Sequence, residues 1–434
     1  MRIRLIAPAN RRANAPKQGL FPPMSLAILA ALTPDKHEVE VVDESVQDHV
    51  MEPLPDLVGI TAITSVAPRA YELADEYRRQ GVRVVMGGMH PSALPEEAVA
   101  HADSVVVGEA EGVWEDVLKD AASGRMRPIY RNERLPSLCG LPAPRWDAFD
   151  PRKYLTLNLV QTSRGCPNNC SFCSVTRFFG KTYRTRPVRE VVEEVSMLGR
   201  RLVLFVDDNI AGNRAHAREL FRELRPMKIS WLGQSSLAIA EDQSLLDAAR
   251  ESGCAGLFIG FESLVSENLE RIGKAMVNRV DRFLESIKRI HSRGISIEGA
   301  FIFGLDGDDG TVFAKTVEFA TKARLALAQF GILTPFPGTP LFSDLESNNR
   351  IIDRDWGNYT ISNVVFRPEN LSPAALREGF LKAYRRFYSP VSIARRLLPA
   401  WRRQPLLFLI LNMHFARIAH SMQGLAPSPG STVS

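Results

Sequence analysis

Twice along this chain, short apolar runs alternate with amphipathic stretches, and no other feature limits the fold as much. Over residues 1–128 the runs are RIRLIAP, HEVEVVDE, DLVGITAIT, VRVVMGG and DSVVVGE; MSLAILAALTP, APRAYELADEYRRQG, LPEEAVAHA and VWEDVLKDAASG lie between or after them. Apolar strands separated by amphipathic helices are the pattern of a parallel sheet covered on both faces. The first series therefore predicts an α/β, doubly wound, Rossmann-like domain over 1–128, with ligands at the carboxyl ends of its strands. The second series reads LTLNLVQTS, RLVLFVDD, ISWLGQSS, CAGLFIGFE, SIEGAFIFG and LALAQFGILT, with helical stretches such as PVREVVEEVSMLG and VDRFLESIKRIHSRG between. It predicts a partial, TIM-like (β/α)6 barrel over 155–345, short of the roughly eight units that close a barrel. The proline-rich stretch 129–154 reads as a surface linker. Residues 346–425 read as a mostly helical C-terminal extension and 426–434 as a disordered tail.

Chemistry concentrates in SRGCPNNCSFCSV, residues 163–175, which places Cys166, Cys170 and Cys173 within eight residues. The chain has five cysteines, the others being Cys139 and Cys254. A structural zinc site needs about four ligands, and no histidine lies in this stretch. An odd cysteine count in a chain of 434 residues argues against a disulfide framework. A redox pair of Cys170 and Cys173 leaves Cys166 unexplained. Three thiolates suit a cubane iron–sulfur cluster with one iron left open for a substrate or cosubstrate. Cys139, in the linker, reads as an ordinary thiol, and Cys254, opening an apolar strand, as core packing.

The C-x3-C-x2-C spacing, with Phe172 just before the last cysteine, resembles the cluster loop of the radical S-adenosylmethionine superfamily. The resemblance implies a [4Fe–4S] cluster on Cys166, Cys170 and Cys173. Its open iron binds the amino and carboxyl groups of S-adenosylmethionine, and its reduced form cleaves the sulfonium to a 5′-deoxyadenosyl radical. PPMSLAILAAL, GGMHPSALPEE and DSVVVGEAEG resemble the subgroup that carries a cobalamin-binding domain before the barrel. There, D-x-H-x-x-G after the second strand supplies a histidine below cobalt. Here the stretch reads VDESVQD, with Asp43 present and Ser45 at the histidine position, which implies cobalamin without that lower ligand or with another; a degenerate domain that binds no cobalamin is the alternative. His90 sits in a ligand-facing loop but reads as a turn or solvent residue rather than a cobalt ligand.

Strand ends supply the remaining candidates. In the first domain these are Thr61, Thr64, Ser65, Gly87, Gly88, Gly108 and Glu109 for cobalamin, where glycines let backbone approach a ligand. In the barrel, Phe172, Asp207, Asp208, Asn209, Gln234, Ser236 and Glu262 are expected around S-adenosylmethionine. Ser235, between Gln234 and Ser236, is also within reach. Asp207–Asn209 match only by position a Gly-Gly-Glu-type motif that touches the amino group of S-adenosylmethionine; an acidic residue suits an ammonium, while Asp208 or Asn209 would serve equally as a helix cap. Glu262 ends an apolar run, where burial without a partner is costly.

Charge is uneven. The chain carries a net +5, yet Leu371–Ser434 holds nine Lys or Arg and one acidic residue, Glu378. The tail, with LLFLIL beside Trp401, Arg402 and Arg403, reads either as a helix packed on the barrel or as an interfacial helix facing anionic lipid or an apolar substrate. Nucleic acid is not expected, since no stacking module accompanies the basic residues. The N-terminal apolar run is too short for a signal peptide, so a cytoplasmic protein is expected, with peripheral contact at the inner membrane face through the tail. The resemblance implies cobalamin-dependent methylation of an unactivated carbon in a small or lipid-like substrate, with flavodoxin or ferredoxin as electron donor. A cobalamin-type oxidoreductase or cyclase, such as those acting on tetrapyrroles, and a non-catalytic iron–sulfur redox sensor are the alternatives.

Overall fold

The computed structural model describes residues 1–10, 21–199, 202–397 and 405–421. Its first sheet holds β1 (Arg2–Ala7), β2 (Glu38–Asp43), β3 (Leu57–Thr61), β4 (Arg83–Gly87), β5 (Ser104–Val107) and β6 (Ile129–Arg131). All pairs are parallel, in the order β2-β1-β3-β4-β5-β6, so the chain reverses direction across the sheet between β1 and β3. Alternate residues of each strand feed two cores. Ile3, Leu5, Leu57 and Val85 pack under helices Met24–Leu32 and Trp114–Ser123; Ile6, Val58, Ile60, Val84 and Met86 pack under helix Ala67–Arg79. This is the doubly wound arrangement that the periodicity predicts.

Strand β6 comes from inside the proline-rich stretch. It is three residues long and too short to carry an alternation signal, yet Ile129, Tyr130 and Arg131 pair with β5. Phe149 and Tyr154 from the same stretch are buried in the first domain's core. The stretch read as a surface linker is therefore folded onto the first domain along part of its length.

The second sheet is built from β7 (Leu159–Val160), β10 (Leu202–Phe205), β11 (Ser230–Ser235), β12 (Cys254–Glu262), β13 (Ser296–Phe303) and β14 (Leu327–Ile332); a short antiparallel ribbon pairs β8 (Ser163–Arg164) with β9 (Arg184–Thr185). Its order, β14-β13-β12-β11-β10-β7, is that of a six-stranded parallel barrel left open between β7 and β14. In β10 to β13 the odd-numbered residues face the outer helices: Trp231 stacks on Phe221, Phe261 meets Phe283, and Phe303 meets Phe313. Their even-numbered residues face the lumen; in β7 and β14 the register reverses the parity, so Leu159, Leu327 and Gln329 face it there.

An open barrel leaves strand edges with unpaired backbone groups. The β14 edge is closed by helix Pro373–Phe387 and the residue after it. The Tyr388 hydroxyl accepts from Ala328 N–H at 3.1 Å and donates to Ala328 O at 2.8 Å; Tyr384 treats Phe330 the same way. Buried Arg396 donates to Leu325 O and Ala326 O and stacks on Phe387. Helix Pro405–Ser421 then crosses the amino-terminal end of the barrel, where Phe408 meets Gly256 and Asn412 bonds Ala326 O. The tail is thus packed on the barrel, at the end opposite the cysteine loop. Trp401, Arg402, Arg403 and residues 426–434 lie outside the described residues.

Candidate active site

The cysteine loop leaves the carboxyl end of β7 and is fixed at its root by Asp207. That carboxylate, fully buried after β10, accepts from Thr162 N–H at 3.0 Å, from the Thr162 hydroxyl at 2.9 Å and from the Ser163 hydroxyl. Asp207 is thereby turned away from the cavity, and the expectation that it touches S-adenosylmethionine is corrected: its oxygens hold the loop. Gly165 follows with φ +87°, where a Cβ would stand 2.1 Å from Thr182 O. Only glycine lets the loop and the segment entering β9 pass so closely. Past Cys170, Ser171 N–H bonds Ile272 O, and Leu341 N–H bonds Ser171 O, so both sides of the barrel mouth brace the loop.

Cys166, Cys170 and Cys173 are unpaired thiols that line one cavity of about 190 Å³. Burial raises all three, Cys170 to about 11, so their thiolate form depends on a bound cation. Among the described residues no three His, Cys, Asp or Glu side chains are disposed to hold a single metal ion. Three thiols around a cavity, without convergence on one point, fit a multi-iron cluster that takes one cysteine per iron. Cys139 is exposed beside Glu190, and Cys254 is buried at the start of β12.

The same cavity gathers Phe172, Asp208, Asn209, Gln234, Ser235, Ser236 and Glu262. Asp208 is raised to about 6 by burial and by its neighbour Asp207. Asn209 is bound through Oδ1 to Ser236 N–H at 3.2 Å, which ties β10 to β11 at their ends. Glu262, at φ +65°, has a partner that sequence reasoning missed: the Lys274 ammonium lies against its Oε1 and faces the cavity. Lys274 sits twelve residues on, in an irregular loop, and carries no local signal.

A second cavity, of about 250 Å³, opens at the carboxyl ends of β3, β4 and β5. Thr61, Gly87, Gly88, Gly108 and Glu109 line it, with helix Met24–Leu32 and Trp114 as the apolar wall. Gly88 has φ +100°, and a Cβ there would lie 2.7 Å from Ala62 O. An apolar cleft with glycine-lined backbone fits the flat aromatic base that ends a cobalamin's nucleotide tail, which glycines let the backbone approach closely. Thr64 and Ser65 form a helical turn away from this cleft. Glu109 lines it but is engaged by Arg164 at 2.6 Å and by Arg184, so its carboxylate braces the two domains and is not available to a cofactor. Ser45 bonds Asp43 through N–H and hydroxyl, and Asp43 in turn accepts from Tyr154. His90 corrects its reading as a turn or solvent residue: it is fully buried on helix Met89–Ala93, 3.1 Å from the Tyr71 hydroxyl and edge-on to Trp356.

The barrel itself closes this cleft. Gln161, Arg164, Phe178, Phe179 and Val206 form its far wall, and the first four come from the segment that carries the three cysteines. One loop therefore separates the two cavities.

A domain of the B12-binding type set against a barrel with this cysteine loop defines a class, and the comparisons agree. Residues 160–320 match the Radical SAM superfamily and residues 14–118 the B12 binding domain. The bacteriochlorophyllide d C-12(1)-methyltransferase of Chlorobaculum tepidum is 32% identical over 387 residues, covering 86% of this chain and 84% of that protein. The bacteriochlorophyllide d C-8(2)-methyltransferase of the same organism is 30% identical, covering 91% of each. The solved structure of the radical S-adenosylmethionine methyltransferase TsrM from Kitasatospora setae superposes with a TM-score of 0.68 at 18% identity, over 97% of this chain and 99% of that one. The chain belongs to the radical S-adenosylmethionine superfamily, in the subgroup with a B12-binding domain. Within it, this is an enzyme of the cobalamin-dependent methyltransferase type, whose cofactors are a [4Fe–4S] cluster, S-adenosylmethionine and cobalamin.

Proposed function

We propose that this enzyme methylates an unactivated carbon of a large, apolar, ring-bearing molecule of the bacteriochlorophyllide kind. The observation that carries the reading is the shared wall: the segment 161–179 presents three cysteines to one cavity and Phe178 and Phe179 to the other. The bound cofactors supply hydrogen abstraction from one side and a methyl group from the other. The chain's own residues position and enclose. Cys166, Cys170 and Cys173 hold the cluster; Asp208 faces the ammonium of S-adenosylmethionine, and Lys274 its carboxylate. Gln234, Ser236 and Asn209 line the ribose side, and Glu262 keeps Lys274 in place. Thr61, Gly87, Gly88 and Gly108 cradle the cobalamin. The substrate class follows the two relatives aligned over most of their length.

The test is anaerobic incubation of the reconstituted protein with methyl-labelled S-adenosylmethionine, a flavodoxin-type electron donor and bacteriochlorophyllide d. Labelled product together with 5′-deoxyadenosine and S-adenosylhomocysteine supports the reading. 5′-Deoxyadenosine without S-adenosylhomocysteine would place the enzyme with oxidoreductases and cyclases instead.

No described helix is long and apolar enough to cross a membrane. Helix Pro405–Ser421 nevertheless exposes Leu406, Leu409, Ile410 and Met413 on one face, with exposed Arg417. This face is the part of the tail suited to peripheral contact with anionic lipid. Because it lies at the barrel floor, such contact holds the enzyme without turning the site mouth to the bilayer.

A further inference from the structure

The lumen of the barrel is apolar along most of its height. Leu232, Phe258, Ala300, Ile302 and Leu327 point into it, as alternation on their strands requires. Glu298 breaks the pattern. It lies in β13 on the lumen face, and the register sets it beside Phe258 on one side and Leu327 on the other. Phe258 and Gln234, its next neighbour across the sheet, also line the cluster cavity. Glu298 is therefore in the same lumen, about one layer of side chains from the cysteines' cavity.

Its carboxyl makes no hydrogen bond or ion pair to any described residue, and burial alone pushes it up to about 7. Groups near enough to satisfy it are already committed. The Tyr384 and Tyr388 hydroxyls feel its charge but each bonds the β14 backbone twice. Below, the Phe408 ring fills the space at Gly256, where a Cβ would stand 2.9 Å from it. Glu298 is half-buried on the lumen face, and a carboxyl set among apolar side chains without a partner is costly. Ligand sites are built this way, mostly apolar with a few placed polar groups that fix orientation.

We propose that Glu298 is the substrate anchor of the lumen: it receives the single hydrogen-bond-donating group, a hydroxyl or an ammonium, of an otherwise apolar substrate, and so sets which end of that molecule enters first. This rests on the reading that the lumen holds the methyl acceptor. The donor group hydrogen-bonds the carboxylate, and the apolar body extends from there along Phe258, Ala300 and Ile302 toward the carboxyl ends of the strands.

The test uses a matched pair of fluorescent probes, 1-pyrenemethanol and 1-methylpyrene, titrated into the full-length, cluster-reconstituted protein. The wild type should bind the alcohol about tenfold more tightly than the hydrocarbon, as one hydrogen bond to a buried charged group implies. Glu298→Leu and Glu298→Met should each abolish that preference while still binding 1-methylpyrene; iron and sulfide content per chain shows which variant is folded. Equal binding of the two probes by the wild type, binding of neither, or a preference that survives in a folded variant overturns the proposal. If the probe preference holds while bacteriochlorophyllide d is not methylated, the substrate proposed above fails and the anchor stands.

Discussion

Arg164 reaches from the root of the cysteine loop into the first domain: its Nη1 lies 2.6 Å from Glu109 Oε2 and its Nη2 2.6 Å from Glu111 Oε1. All three side chains are almost wholly enclosed, and Arg184 adds a second cation to Glu109. The residue two before Cys166 thus fixes the cluster loop against the end of β5. Removing one partner from a buried pair costs about 3–5 kcal/mol, because the other charge stays buried. Arg164→Met should therefore destabilise the protein by about 3 kcal/mol in urea unfolding, with Glu111 left uncompensated. Adding Glu111→Gln should recover part of the loss. Strict additivity of the two changes would show that the pair is not coupled.

The cysteines divide into two groups. Cys166→Ala, Cys170→Ala and Cys173→Ala should each reduce iron and sulfide to well below one cluster per chain after anaerobic reconstitution. Cys139→Ala and Cys254→Ala should keep a full complement, because those thiols face solvent and core. A full cluster in Cys170→Ala would refute the ligand set.

Closure of the β14 edge is open to a single-atom test. Tyr388→Phe removes the hydroxyl that both accepts from and donates to Ala328. Leaving a buried N–H and C=O without partners costs about 2 kcal/mol. Hydrogen exchange at the Ala328 amide should accelerate more than exchange elsewhere in the barrel; unchanged protection there would mean that the edge is held by packing alone.

Glu298 should make stability depend on pH. Its folded pKa, raised by burial to about 7, exceeds the roughly 4.3 of an unfolded glutamate. The folded chain therefore binds the extra proton, and the associated stability is fully present below the unfolded value and lost as pH rises through the folded one. Glu298→Gln, which cannot ionise, should differ least from the wild type near pH 4 and melt progressively higher than it up to about pH 8. Melting curves for the two proteins that stay parallel between pH 5 and pH 8 would rule this out.

Much of the chain was legible without coordinates because its signals are local. Strand and helix periodicity fall within windows of a few residues, so each long strand of both sheets appears where the alternation predicts it. The three cysteines fall within eight residues, and their spacing with Phe172 is what carries the resemblance to a cluster loop. Strand β6 escaped notice because three residues cannot show a period. His90 was misread because a proline beside it suggests a turn, whereas Tyr71 and Trp356, far away in sequence, bury it.

Roles, as distinct from elements, needed the tertiary structure. Asp207 and Asp208 are adjacent, yet one holds the loop root and the other faces the cavity, since alternation at a strand end turns them to opposite sides. Glu109 looked like a cofactor contact until Arg164 and Arg184, 55 and 75 residues away, took both its oxygens. Glu262 acquired Lys274, and Glu298 was left with no partner, although nothing within a few residues distinguishes the two carboxylates. By itself the sequence determined the two βα domains and set the three candidate cluster thiols side by side, because hydrophobic period and ligand spacing are properties of neighbouring residues. Only the tertiary structure decided which charges brace the domains, which face the cofactors and which await a substrate, because an ion pair or its absence depends on what the register of distant strands brings within reach.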